Sequence, residues 1–372
     1  MPLINMPDFA ASLLADFAAR GATRVDTPVI QPAAPFLDMA GEDLRRRIFL
    51  TESETGESLC LRPEFTIPVC LSHIETATGT PKRYAYLGEV FRQRREGANE
   101  FYQAGIEDLG ETATARADAR AVSDAVGILA QLLPGRVLTI TLGDQAVFEA
   151  VVRALGLPGG WQKRLIQAFG DSTHLNQLLE DLASPKAVTA QSDEVEALLA
   201  DGDDAALVAL IAARMEDTGY SSNASRSPKE IAARLKENRA LASTRLEGRA
   251  ILLLREFLSL ELPLDEAAGA LAGFADAAGL ALGSALEHFE ARVAAMARLG
   301  LNLSGMTYRA AFGRPLDYYT GLVFEVAEQD AKAVLAGGGR FDRLLTLLGA
   351  QQPIPAVGFS LWLDRIETAR SR

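Results

Sequence analysis

Phe312-Gly313-Arg314-Pro315-Leu316-Asp317-Tyr318-Tyr319-Thr320-Gly321-Leu322-Val323-Phe324-Glu325-Val326 is the stretch around which this chain is organised. An Arg, an Asp and two adjacent Tyr crowd a short turn. Leu322, Val323, Phe324 and Val326 then form a run of residue types that suit a strand. The turn therefore delivers a guanidinium and two phenols to the end of a sheet. A guanidinium there suits a carboxylate, because its planar donors bind two oxygens at once. A phenol suits a flat polar ring, offering a face to stack on and a hydroxyl to bond with. The same residues would also serve as a buried Tyr pair beside a solvated Arg, and the stretch alone leaves both readings open.

Working outward, Leu335 to Leu345 places Gly337-Gly338-Gly339 at a predicted strand-to-helix turn. Such a run can cradle phosphate, but no Walker pattern follows it, so close backbone packing is expected instead. Upstream, Arg83 to Arg92 and Phe101 to Gly110 read as two strands of an antiparallel hairpin, joined by the polar loop Gln93 to Asn99. Period two puts Gln103, Gly105 and Glu107 on one face. If that face is internal, its polar groups need a ligand or a network; if it faces water, they need nothing. Leu59 to Pro68 reads as a strand running into Arg62-Pro63-Glu64, with a helix starting near Thr66. Glu64 is placed to receive an ammonium group, or simply to favour the positive end of the helix dipole.

The remaining segments set the frame. Asp8 to Arg20 reads as a helix with Phe9, Leu13, Leu14 and Phe17 on one face and Gly21 as its stop. Val25 to Ile30 is extended and carries Pro28, as an edge or interface strand would. Ala113 to Leu133 reads as a helix closed by Pro134-Gly135, and Val137 to Leu142 as a strand. Residues 146–298 are mostly helical by period, with an acidic patch at Asp201–Asp204 and a Ser- and Asn-rich loop at Gly219–Pro228.

The chain is 48% hydrophobic and 23% charged, as globular proteins are. No apolar run reaches the ~18 residues that a membrane span needs, and Met1 to Asn5 lacks a signal-peptide pattern. Cys60 and Cys70 are the only cysteines and form no CxxC, which fits a reducing cytoplasm and speaks against a thiolate zinc site. His73, His174 and His288 have no ligand spacing, so no metal is expected. A net charge of −12, with a pI near 4.9, weighs against tRNA as the main ligand.

Several blocks carry a resemblance. Arg314 to Tyr319 resembles the Arg-Gly-Leu-Asp-Tyr-Tyr signature of the histidyl-tRNA synthetases, with Pro315 in place of Gly; proline fixes φ there and removes a donor. Arg62 to Thr66 resembles their Arg-Pro-Glu-Gly-Thr, with Phe65 in place of Gly. The hairpin is similar to motif 2 of class II synthetases and Pro355 to Ile366 to motif 3, while Gly338, Gly339, Arg340 and Asp342 match a block beside the substrate. The implied fold is α+β: a mixed, mostly antiparallel sheet flanked by helices. Residues 1–145 and 299–372 would form the class II core and 146–298 a mostly helical insertion. The helix and Pro28 segment at the N-terminus are similar to the class II dimer interface.

The resemblance implies a histidine-binding set of Glu64, Thr66, Arg92, Gln103, Glu107, Arg314, Tyr318 and Tyr319. Arg92 and Arg314 would be unpaired cations unless a carboxylate meets them. The ATP half of the site departs from the pattern. Arg94 stands where the synthetases have the Glu that reads the adenine amino group. The motif 2 loop is shorter, with Asn99 at a basic position. Trp362 stands at a glycine position of the motif 3 helix and should crowd the adenine, beside Arg365, which matches the ATP-clamping arginine. A synthetase would also continue into an anticodon-binding domain, which is not expected here.

A chain that keeps histidine binding and loses activation resembles the regulatory subunits of ATP phosphoribosyltransferase. That resemblance implies a non-catalytic chain without a cofactor. It also implies pairing as a homodimer with the short-form catalytic subunit in a cytoplasmic hetero-oligomer, histidine as effector in the first step of histidine biosynthesis, and no tRNA or membrane partner. The alternative is a truncated enzyme that forms histidyl-AMP.

Overall fold

The computed structural model describes residues 6–39, 42–95, 97–183, 193–217, 227–242, 248–314, 318–329 and 333–372. Twelve strands occur among them: β1 (Thr23–Arg24), β2 (Ile30–Pro32), β3 (Leu50–Glu52), β4 (Ser58–Leu61), β5 (Lys82–Phe91), β6 (Glu100–Leu109), β7 (Leu138–Asp144), β8 (Glu261–Pro263), β9 (Met306–Arg309), β10 (Leu322–Glu328), β11 (Val334–Arg340) and β12 (Ala356–Trp362). Nine of them form one sheet in the order β1-β5-β6-β12-β11-β10-β7-β9-β8, and β2-β4-β3 form a second. The large sheet is mixed and mostly antiparallel: only β1 with β5 and β7 with β9 run parallel.

The expected hairpin is its longest pairing, in unbroken register from Lys82 opposite Leu109 to Phe91 opposite Glu100. Period two then sorts side chains to the two faces of the sheet. Ala104 and Ile106 of β6 join one buried cluster, while Phe101 and Leu109 join another. Gln103, Gly105 and Glu107 alternate with the first pair, so they share a face with the second cluster. That second cluster contains Tyr84, Tyr86, Tyr318, Phe341 and Trp362, and is covered by the Thr66–Glu75 helix through Ile67, Val69 and Cys70. The polar face is therefore internal.

The first cluster lies under the Ala10–Ala19, Thr114–Leu132, Gln145–Ala154 and Ser284–Arg298 helices. Phe9, Leu13 and Phe17 are buried and Leu14 partly so, and the chain turns out of its helix at Gly21 with φ +79°. Helices at Gly159–Ala168, Ser172–Ala183 and Leu264–Ala278 also contribute to this cluster, and β8 extends the large sheet. Val195, Leu207, Ile211 and Ala232 form a small cluster of their own.

Two expectations are corrected. Val25 to Ile30 is not one strand: β1 ends at Arg24 and β2 starts at Ile30, in different sheets. The intervening backbone is tied elsewhere, with Val29 O accepting from Arg62 N–H and Thr27 O from the Arg62 guanidinium. Gly337-Gly338-Gly339 lies inside β11, not at the turn after it. The glycines are enclosed because β10 and β12 flank them on both sides. The loop expected at Gly219–Pro228 falls outside the described residues up to Arg226, as does Pro315.

Candidate functional site

The Thr66–Glu75 helix opens the site. Glu64 Oε2 accepts the Thr66 N–H at 2.7 Å and Oε1 the Ile67 N–H at 2.9 Å. Two donors that a helix start leaves without partners are thereby satisfied, and the carboxylate sits at the positive end of the dipole. The plain reading of Glu64 as a helix-terminal acid is thus realised, although the residue also faces the cavity described below. Thr66 Oγ1 donates to Glu107 Oε1 at 2.7 Å. Among the described residues Glu107 Oε2 and Gln103 Oε1 are buried with no hydrogen-bond partner, and both residues are 1% exposed. The Tyr86 hydroxyl nearby is shared with Ser360 Oγ at 2.7 Å. Burial pushes the Glu107 carboxyl well above the usual carboxylate range; burial raises Glu64 too, against its backbone hydrogen bonds.

Glycines make the room. Gly358 of β12 stands opposite Glu107 in the register, and a Cβ there would lie 1.6 Å from Glu107 Oε2. A Cβ on Gly337 would lie 2.0 Å from Arg314 Nη1. The glycine run therefore clears a floor for the side chains above it.

Arg314 is not the unpaired cation that was expected: its Nη1 meets Glu325 Oε1 at 2.7 Å, while its Nε is buried without a partner among the described residues. Burial alone would lower its pKa, but Tyr319 and Glu325 outweigh that and raise it. Arg92 Nε donates to Pro63 O at 2.7 Å, and the residue makes no ion pair among the described residues. Burial pulls its pKa down to about 10, against the attraction of Glu64. Tyr318 packs edge-on to Phe341, 5.9 Å between centroids, and against Tyr319 at 5.0 Å. Glu64, Thr66, Arg92, Gln103, Glu107, Arg314, Tyr318 and Tyr319 all line one cavity of about 110 Å³.

The residues at which the resemblance implies a nucleotide are engaged with protein groups. Arg94 lies 3.6 Å above the Phe101 ring centroid and pairs with Asp364 Oδ2 at 3.4 Å. Trp362 ends β12 and precedes the Leu363–Arg370 helix, where the motif resemblance had put it inside the helix. It lines the same cavity, is 6% exposed, and has the guanidiniums of Arg314 and Arg365 at 5.6 and 5.0 Å from its ring centroid. Arg365 itself donates to Val334 O at 2.7 Å.

Arg340 and Asp342, matched to a substrate-side block, are not in the cavity lining. Arg340 pairs with Asp342 at 2.6 Å and with buried Asp118 at 2.6 Å. Asp118 also meets Arg292 at 2.6 Å, and Arg292 meets Asp144, which caps the Gln145–Ala154 helix through Ala146 and Val147 N–H. Burial lowers the Arg292 pKa and the two aspartates more than restore it. This network fixes helices to sheet beneath the site, and nothing in the local sequence patterns singled it out. Ser360, Leu44 and Arg47 also line the cavity without having been anticipated; the period of β12 is the signal that places Ser360 on that face.

Known proteins resemble the chain along its length. The family model described as Histidyl-tRNA synthetase matches residues 5–241 and 189–366. A curated relative from Allorhizobium ampelinum, named ATP phosphoribosyltransferase regulatory subunit, is 80% identical over 372 residues, all of both chains. One of the same name from Rhizobium etli is 71% identical over 371 residues, again all of both chains. The chain belongs to the ATP phosphoribosyltransferase regulatory subunit family. The regulatory-subunit fold is also found in solved structures. A Bacillus halodurans protein titled an ATP phosphoribosyltransferase regulatory subunit/histidyl-tRNA synthetase gives a TM-score of 0.64 at 19% identity, over 98% of this chain and 78% of that one. A Histidine--tRNA ligase subunit from Alicyclobacillus acidocaldarius gives 0.61 at 23% identity, over 100% and 96%. At those identities the likeness establishes the class II synthetase-like fold of this regulatory-subunit family member. Among its described residues no helix is long and apolar enough to cross a membrane, and no group of three His, Cys, Asp or Glu could hold a metal.

Proposed function

We propose that this chain is the non-catalytic regulatory subunit of ATP phosphoribosyltransferase, and that it senses histidine in the cavity between β6, β11 and the Thr66–Glu75 helix. One observation carries the reading. Two buried acceptors, Gln103 Oε1 and Glu107 Oε2, lack partners among the described residues in a cavity that Trp362 also lines, while Arg94, outside that lining, is paired with Asp364. Leaving such groups unpaired costs about 1–3 kcal/mol each, and an imidazole N–H would relieve them. Arg92, without an ion pair among the described residues, takes the ligand carboxylate, with Arg314 and the Tyr318 and Tyr319 phenols beside it. Glu64 and Thr66 face the ammonium end. Histidine then regulates only by favouring one state of the complex, since equal affinity for both states shifts nothing.

The partner is the short-form catalytic subunit. Homodimerisation runs through the segment around Pro28, a reading supported by Ile30 and Leu50 of the small sheet, each 56% exposed. Residues 146–298 serve as a mostly helical insertion on the class II core of 1–145 and 299–372. The assembly is cytoplasmic, and it works without tRNA.

Co-purification with the short catalytic subunit, with activity measured with and without histidine, tests the proposal. Activation by this chain and its loss on adding histidine are expected. Histidine-dependent pyrophosphate exchange at about 1 s⁻¹ or faster would instead establish an activating enzyme.

A further inference from the structure

A second cavity, of about 400 Å³, shares Tyr319 with the first. The Gln145–Ala154 helix presents Gln145, Glu149 and Arg153 to it at four-residue intervals, hence from one face. The Gly159–Ala168 helix adds Lys163, and the turn before Leu344 adds Arg343. Glu149 is 4% exposed and organises the cations: Oε2 meets Arg153 at 2.6 Å, and Oε1 meets Arg343 at 3.0 Å and Gln145 Nε2 at 3.4 Å. Lys163 is exposed and makes no ion pair among the described residues. Three cations thus face one carboxylate, leaving two positive charges in excess on a chain whose net charge is −12. Ile166, Phe169 and the Tyr319 ring supply an apolar wall.

We propose that this cavity binds a small phosphate monoester, such as a sugar phosphate, as a second ligand of the chain. A phosphate dianion matches the excess charge. The guanidiniums held by Glu149 keep free N–H donors suited to phosphate oxygens, and Lys163 adds a point charge. The apolar wall suits the carbon frame of the ester.

The cavity also adjoins residues on either side of Arg314. Phe169 lines it, and the Phe169 ring and Gly170 N lie within 2.7 Å of where a Gly313 Cβ would stand. Tyr319, at the other flank, walls both cavities. Ester binding is therefore coupled to the first cavity, and the coupling is reciprocal.

Calorimetric titration of the full chain with ribose 5-phosphate, with inorganic phosphate in parallel, tests this. The ester is expected to bind below about 1 mM and more tightly than phosphate. Lys163→Glu, at an exposed position, should weaken it about tenfold or more, as should Arg343→Gln, which removes the charge at a second exposed cation. Saturating ester should shift histidine affinity by about fivefold or more, an arm that rests on the histidine reading above. If histidine fails to bind even without ester, that reading falls while ester binding is still measured directly. No ester binding up to ~10 mM, or binding that both variants leave intact, overturns the site, and an unmoved histidine affinity overturns the coupling.

Discussion

Replacing Glu107 by Ala removes the acceptor on which histidine recognition turns. Glu107 Oε1 is engaged by Thr66 Oγ1 at 2.7 Å, whereas Oε2 has no partner among the described residues. An imidazolium N–H brings the charge that burial denies this carboxyl, and the resulting charge-assisted hydrogen bond contributes about 1.5–3 kcal/mol, which is roughly ten- to a hundredfold in Kd. Folding should suffer less, because the change also removes a carboxylate whose burial disfavours its charged form. The Thr66 hydroxyl loses its acceptor and offsets part of that relief. Glu107→Gln keeps the shape and an acceptor for Thr66, so it should retain more affinity than Glu107→Ala. The assay is calorimetric titration of the isolated chain with histidine, followed by histidine inhibition of the assembled complex. Assembly should persist in both variants. If wild type binds no histidine, or if Glu107→Ala shifts neither Kd nor inhibition beyond twofold, the cavity is an inherited relic and the reasoning fails.

Gly358→Ala places a methyl 1.6 Å from Glu107 Oε2, so it should cost about 1–3 kcal/mol of overpacking and weaken histidine binding; unchanged affinity would show that Glu107 does not hold the ligand. Arg292→Met strips the cation bridging buried Asp118 and Asp144 and should lower unfolding free energy by about 3–5 kcal/mol, read from urea midpoints; a loss below about 1 kcal/mol would make the network incidental. Because burial raises the Glu107 pKa in the folded state, its contribution is present below the ordinary carboxylate range and is lost as pH rises through the folded pKa. Wild type should therefore lose stability relative to Glu107→Gln with rising pH in thermal melts, and a pH-independent difference would contradict the burial argument.

Local pattern was sufficient for much of this protein. The alternation in Phe101 to Leu109 sets Gln103 and Glu107 on one face, because strand side chains alternate whatever lies above them. The 3.6-residue period placed the N-terminal helix, and Arg62-Pro63-Glu64 marked the start of another, since helix ends need acceptors that neighbouring residues can supply. Motif order carried the class II fold. Whether the polar face of β6 met water or protein was not legible, because it depends on the Thr66–Glu75 helix lying across it. The partner of Arg314 was in plain view as Glu325, yet only the strand direction of β10 brings that carboxylate to 2.7 Å. The glycine run looked like a turn because glycine permits one, whereas neighbouring strands on both sides decided that it is a floor. Arg292 and Asp118 lie 174 residues apart, a separation at which no periodicity links two residues. Such a pair is decided by burial, where an unpaired charge is too costly to leave, and burial is a property of the assembled fold.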